Sequence, residues 1–325
     1  MRLDQKLGEN NISADTSSYV SECLQLALLL EVSAYPKPGN VHRNADFGDT
    51  RYEHFLASAV AVAPHFKLAA ERGVKLYNGI ISEAQVGLGE LIRDSAKNMR
   101  RWQSGGNTLL GAVILLMPIA VVAGAVLAEG KFSLSRLREE ISRIVASSTA
   151  KDAVNVYEAI DIAQPGGLGK APDLDVNDSR SKKRIIEENI SLYQVFKIAS
   201  AYDSICAEWV NNYPITFDIG YPFFKRQIEK ANDVNLATVN TFLKILAEVP
   251  DTLIARKAGK EKAVKVSLEA KRILELGGLE TEVGRKELVE FDHRLRQTGN
   301  NLNPGTTADI VSAVLALNIL EGYRP

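Results

Sequence analysis

Between residues 108 and 128 the chain reads TLLGAVILLMPIAVVAGAVLA, 21 positions without a charge. No other segment narrows the possible folds as much. A stretch of that length either crosses a bilayer or is enclosed on all sides by other helices. Crossing calls for a second span or a flanking anchor, and neither occurs elsewhere in the sequence. Gly111, Pro118 and Gly124 suit either setting. The helical pattern around the segment decides the expectation, which is a buried central helix.

Apolar residues recur at helical spacing almost throughout, and no run reads as a strand. Helices are predicted over 19–33, capped by Ser17 or Ser18, and over 52–71, kinked at Pro64 and stopped by Gly73. Others are predicted over 79–101, 134–147 and 150–163, the last opened by Thr149 and Asp152 at capping-box spacing. One long helix over 190–213 is followed by 217–231, 236–249, 261–276, 285–297 and 307–320. The exception is 164–183, a polar stretch rich in Gly, Pro, Asp and Ser; connectors that long are functional or disordered. The expected fold is all-α, a large globular multi-helix bundle with a buried central apolar helix. Residues 1–16 read as a polar tail and 17–325 as a single all-helical catalytic domain.

Thirty-nine basic residues stand against forty acidic ones, so there is no electrostatic footprint for nucleic acid. Only Cys23 and Cys206 are present, far apart and without metal-ligand spacing, which points to a reducing compartment. The polar start of the chain lacks the apolar core of a signal peptide. A cytoplasmic protein without a membrane partner is expected, and its exposed amphipathic faces leave room for a homodimer.

The chemistry concentrates at charges set on apolar faces and at two Pro/Gly corners. In EVSAYPKPGNVHR (31–43), a helix ends on Glu31, and Pro36, Pro38 and Gly39 stiffen a loop carrying Lys37, His42 and Arg43. Glu31 continues the face of Val20, Leu24, Ala27 and Leu28, while Asp203 falls on the face of Leu192, Phe196, Ala199, Cys206 and Val210. A buried carboxylate must be paired, bound to a metal or turned to a wet cleft. Near the C-terminus LNPGTTAD (302–309) enters the last helix with Asn303, Gly305, Thr306 and Thr307, and GGNT (105–108) enters the apolar helix with Asn107 and Thr108. Helix N-termini of this kind attract anions, though ordinary capping explains each one taken singly. In PGGLG and DLDVND, Gly166 and Gly167 are placed to approach phosphates and Asp173, Asp175 and Asp178 to hold Mg²⁺; a plain helix stop and a solvated loop account for them equally.

Together ALLLEVSAYPKPGNVHR, GGNTLLGA, VYEAIDIAQPGGLG, DLDV, AYDSICAEWV and LNPGTTADIVSA resemble the triphosphoribosyl-dephospho-coenzyme-A synthase family, in order and over about residues 20–320. The resemblance implies an all-helical enzyme in which the 2′-hydroxyl of 3′-dephospho-coenzyme A displaces adenine from C1 of the ATP ribose. The product is the precursor of a prosthetic group on acyl-carrier subunits. Such a displacement passes through an oxocarbenium-like state, so a stabilising carboxylate and a base are needed. Glu31 and Asp203 are the candidates, with no assignment between them. Lys37 and Arg43, with Gly39, His42, Asn107, Thr108, Gly166, Gly167, Asn303, Gly305, Thr306 and Thr307, are the substrate and phosphate candidates. Asp175 and Asp309 are the candidates for Mg²⁺. Where better-known bacterial members resemble Gly-Val-Asn-Thr-His-Lys-Gly, this chain has Leu109 and Leu110 in place of the His-Lys pair. Two other readings compete: a helical Mg²⁺-dependent phosphohydrolase or prenyl-type transferase, and a non-enzymatic membrane-associated or interaction protein.

Overall fold

A computed structural model describes residues 12–130 and 132–325. Among these, the chain forms α1 (Ile12–Ser33), α2 (Tyr52–Tyr77), α3 (Leu88–Trp102), α4 (Leu110–Ala128) and α5 (Leu134–Ala146). It continues as α6 (Ala150–Ala163), α7 (Ser179–Glu187), α8 (Leu192–Ala199), α9 (Ser204–Val210) and α10 (Tyr221–Ala231). Last come α11 (Val234–Glu248), α12 (Thr252–Ala258), α13 (Lys260–Glu275), α14 (Glu282–Arg296) and α15 (Gly305–Leu320). No strand forms among the described residues, as expected of an all-α chain.

Helix α4 is long and apolar enough to cross a membrane, yet 83% of its apolar window is buried within the fold. It packs against α1, α2, α3, α5 and α15. Pro118 within it has no N–H to give the carbonyl of Ile114. Trp209 repairs that loss, its indole Nε1 donating to the Ile114 oxygen at 3.1 Å, and the Tyr213 hydroxyl donates to the next carbonyl, Leu115, at 3.0 Å. Helix α2 lies directly on α4: a Cβ on Gly73 would meet the Val121 carbonyl oxygen at 1.8 Å, and one on Gly124 the Ala70 oxygen at 2.2 Å. Gly73 is thus a contact residue inside α2 and does not stop it, contrary to the expectation from sequence. Helix α15 is the second enclosed helix, buried along nearly its whole length against α1, α4, α10 and α11.

Three further expectations change. The first helix begins at Ile12, so Ser17 and Ser18 lie inside it, and of the expected tail only residues 1–11 remain, outside the described residues. The long helix over 190–213 is two helices, because Asp203 takes the amides of Ile205 and Cys206 (2.8 and 3.3 Å) and starts α9 anew. The polar stretch after Ala163 is a loop only to Asp178, whose side chain caps α7. The capping box at Thr149 and Asp152 forms as expected.

Candidate active site

The N-terminal ends of α4, α9 and α15, the C-terminal ends of α1 and α6, and the short helix α12 meet around one cleft of about 500 Å³. Glu31, Asn107, Thr108, Gly166, Asp203, Asn303, Gly305, Thr306 and Asp309 all line it. Residues from segments hundreds of positions apart therefore converge on it.

Glu31 ends α1 with 2% of its surface exposed. The chain turns through a cis Tyr35–Pro36 bond, and Lys37 folds back to bond both the carbonyl oxygen of Glu31 (3.0 Å) and its carboxylate. Lys37 is 1% exposed. Burial drives the Glu31 carboxyl up and the Lys37 amine down from their ordinary values, and their mutual attraction opposes both shifts. The pair shares a proton, and its net charge is zero wherever that proton sits. Lys37 does not line the cleft; it neutralises a carboxylate that does.

Asp203 is not a misplaced charge on a helix stripe, as the sequence suggested, but the N-cap of α9. Its second oxygen, Oδ2, accepts from Arg256 Nη1 at 2.5 Å, and Arg256 Nε donates to the Gly167 carbonyl at 2.9 Å. Arg256 and its neighbour Lys257, both on α12, are the cations that line the cleft. Burial lowers the Lys257 amine, with Asp49 and Asp251 pulling the other way. Sequence reasoning missed α12, having left 250–260 between two predicted helices. Its signal was Pro250-Asp251-Thr252, a helix start.

Asp251 is the other missed residue. It is 2% exposed and accepts four hydrogen bonds: from the amides of Leu253 and Ile254 at 2.8 and 3.1 Å, and from the Thr307 amide and hydroxyl at 2.7 and 2.8 Å. One carboxylate thereby ties the start of α12 to the start of α15. The Thr307 amide is consequently occupied and is no anion site. Asp309 lies one turn into α15, where its Oδ1 accepts from the Ala112 amide of α4 at 2.9 Å. Burial first, and the Glu31 charge second, push its carboxyl well above the usual range. Asn107 caps the same helix by accepting from Leu110 at 3.2 Å, and Thr108 pairs with Ser58 at 2.7 Å. The α4 terminus thus faces carboxylate and carboxamide oxygens, which corrects the expectation of phosphate there.

Several candidates stand behind or away from the cleft. Gly39 donates its N–H to Asp292 Oδ1 at 2.8 Å, and buried His42 sits 3.4 Å from the other oxygen of Asp292. Arg43 is exposed, with its guanidinium 5.9 Å from the centre of the Tyr35 ring. Gly167 contributes its carbonyl to Arg256 but is not among the lining residues. Asp175 spends its oxygens on the amides of Ala171 and Asn177, each at 2.8 Å, while Asp173 pairs with Arg184 and Asp178 with Arg180. The aspartate-rich run therefore orders its own loop, which removes the ground for a prenyl-type aspartate site. Among the described residues no three His, Cys, Asp or Glu side chains are grouped to hold a metal.

A family model described as ATP:dephospho-CoA triphosphoribosyl transferase matches residues 17–325. A 2-(5''-triphosphoribosyl)-3'-dephosphocoenzyme-A synthase of Klebsiella pneumoniae is 24% identical over 302 residues, 92% of this chain and 90% of its own. A Pseudomonas aeruginosa protein named "Probable 2-(5''-triphosphoribosyl)-3'-dephosphocoenzyme-A synthase" is 25% identical over 316 residues, 95% of this chain and 94% of its own. A structure named "Crystal structure of putative triphosphoribosyl-dephospho-coA synthase from Archaeoglobus fulgidus" aligns with a TM-score of 0.59 at 24% identity, covering 83% of this chain and all of the other; it supports the fold alone. The chain belongs to the ATP:dephospho-CoA triphosphoribosyl transferase family and is a transferase of the triphosphoribosyl-dephospho-CoA synthase type.

Proposed function

We propose that this cleft moves the 5-triphosphoribosyl group of ATP onto the 2′-hydroxyl of 3′-dephospho-coenzyme A and releases adenine. The observation that carries the reading is the meeting of buried Glu31 and half-buried Asp309 with Arg256 and Lys257 in one cavity. The acidic residues suit a ribosyl cation and an incoming hydroxyl; the cations suit a polyphosphate.

Glu31 is the base in this reading. Its raised proton affinity matches the task of taking a proton from a hydroxyl, and Lys37 beside it stabilises the charge before and after. Asp203 holds Arg256 in place. Arg256 and Lys257 take over the phosphate role expected of Lys37 and Arg43. The Asn303 Oδ1 is buried without a hydrogen-bond partner, an acceptor suited to a ribose hydroxyl.

Four carboxylates (Glu31, Asp49, Asp203 and Asp309) line the cleft against two cations. With Glu31 neutralised by Lys37 and Asp309 keeping its proton, Asp49 and Asp203 offset the two cations, so no surplus positive charge is left for a bare triphosphate and the nucleotide enters as its Mg²⁺ complex, the metal arriving as part of the substrate. Carboxylate oxygens in the cleft wall suit Mg²⁺, and Asp49, close enough to Lys257 to act on its charge, is the residue to meet it in place of Asp175 and Asp309. Bound in this way, Mg²⁺ neutralises phosphate charge. We place the enzyme in the cytoplasm, in keeping with the free Cys23 and Cys206, with its product consumed by a step that loads an acyl-carrier subunit.

Incubation with ATP, Mg²⁺ and dephospho-coenzyme A tests the reading directly. Free adenine and a ribosylated coenzyme-A product are expected in equal amounts. Release of ADP or phosphate alone overturns it.

A further inference from the structure

We propose that Asp309 is the general acid that hands a proton to the departing adenine, an inference that rests on the adenine-releasing reading above. Adenine expelled as an anion is a poor leaving group, so breaking the bond from C1 to N9 calls for a proton on the ring. The cleft must therefore contain one acid as well as one base.

Asp309 is built for that part. Its Oδ1 is fixed by the Ala112 amide at 2.9 Å. Oδ2 accepts no hydrogen bond from a described residue and belongs to the cleft wall. Helix α4 presents only the Ala112 amide and Gly111 to Asp309, and the charged groups around it come from the other elements: Glu31 at the end of α1, Lys37 in the turn after it, Asp203 at the cap of α9 and Asp251 at the cap of α12. Each already has its counterpart. Lys37 is bonded to Glu31, Asp203 to Arg256, and Asp251 accepts four donors. Among the described residues no ion pair forms at Asp309, and three carboxylates surround it. Burial and the Glu31 charge keep its proton on, as an acid requires.

The step balances. The bond from C1 to N9 breaks and its electron pair goes to the adenine ring. The Asp309 carboxyl proton moves to a ring nitrogen, so adenine leaves neutral. The acceptor oxygen bonds C1, and its proton passes to the Glu31–Lys37 pair. Asp309 is left ionised and the pair gains one proton; exchange with water resets both.

The test uses two leaving groups. Asp309→Asn is assayed with Mg–ATP and with the 5′-triphosphate of nicotinamide riboside, whose pyridine departs neutral without a proton. With ATP the variant is expected to lose about 10²–10⁴-fold in kcat. With the nicotinamide substrate it should stay within about tenfold of the wild type. Equal losses on both substrates, or retained activity on ATP, overturn the proposal. Wild type that releases no adenine from ATP refutes the functional reading itself, and the proposal with it. Should the variant fail to fold or the analogue fail to bind, the wild-type pH profile decides. Turnover of ATP should fall at high pH as the acid loses its proton, and a profile that is flat on the alkaline side overturns the assignment.

Discussion

The carboxylate of Asp309 lies over the bare α-carbon of Gly111: a methyl group there would sit 2.0 Å from Oδ2. Gly111→Ala should therefore displace the carboxylate and strain the contact between α4 and α15. A loss of about 1–3 kcal/mol of stability is expected from overpacking. Turnover should fall about a hundredfold from misplacement of the reacting group. Urea unfolding and adenine release measure the two effects separately. An alanine variant with wild-type turnover would show that the position of Asp309 is immaterial.

Arg256→Ala removes a cleft cation and leaves Asp203 Oδ2 without its partner. The KM for Mg–ATP should rise by about ten- to a hundredfold, the scale of one charge-assisted contact of about 1.5–3 kcal/mol. Arg256→Lys should recover only part of this, because a lysine cannot reach Asp203 and the Gly167 carbonyl together. Steady-state kinetics with varied ATP distinguishes the set.

Mg–ATP should stabilise the folded protein. At a hundredfold excess over Kd the gain is about 2.7 kcal/mol, seen as a higher Tm. Arg256→Ala should blunt the shift at equal nucleotide concentration. An unchanged Tm in wild type would remove the nucleotide from the cleft.

Asp251→Ala should cost about 2–4 kcal/mol, since four donors lose their acceptor within the fold. Activity should fall further than stability requires, because Asp251 sets α12, with Arg256 and Lys257, against α15, with Thr306 and Asp309. Comparing turnover at a temperature where the variant is fully folded isolates that second effect.

Glu208 gives the stability a pH dependence away from the cleft. It is buried and accepts from the amides of Ile215 and Thr216 at 2.8 and 2.9 Å, and from the Thr216 hydroxyl at 2.5 Å. Burial outweighs these bonds and pushes its carboxyl up to about 7 from 4.5. The folded state then holds the proton more tightly than the unfolded chain. The contribution of Glu208 is largest below pH 4.5 and declines as pH rises to about 7, by about 3 kcal/mol in all. Urea unfolding at about pH 5 and about pH 8 should show this slope in wild type and a shallower one in Glu208→Gln.

Most of the fold was legible because its helices obey a period, and α4 announces itself by having no polar side at all. What stayed hidden was tertiary. That Lys37 would fold back on Glu31 follows from a turn whose path the sequence does not specify. That Asp203 begins a helix depends on a carboxylate competing successfully for two amides, a contest that the apolar spacing of 192–210 conceals. Helix α12 is too short to show periodicity, so nothing in the local pattern marked Arg256 and Lys257 as cleft residues. The aspartates of 173–178 stood out by composition, yet they satisfy their own neighbours. The cleft is thus made of the residues whose partners lie far away in sequence, which is the information a local pattern lacks.

Asp309, in the cleft wall, and Ala112, whose amide holds it, sit on the two helices most deeply wrapped by the rest of the molecule. Loosening that junction means parting the whole protein. In hydrogen–deuterium exchange the Ala112 amide should be among the slowest to exchange, keeping pace with global unfolding, while the loop before Asp178 exchanges early.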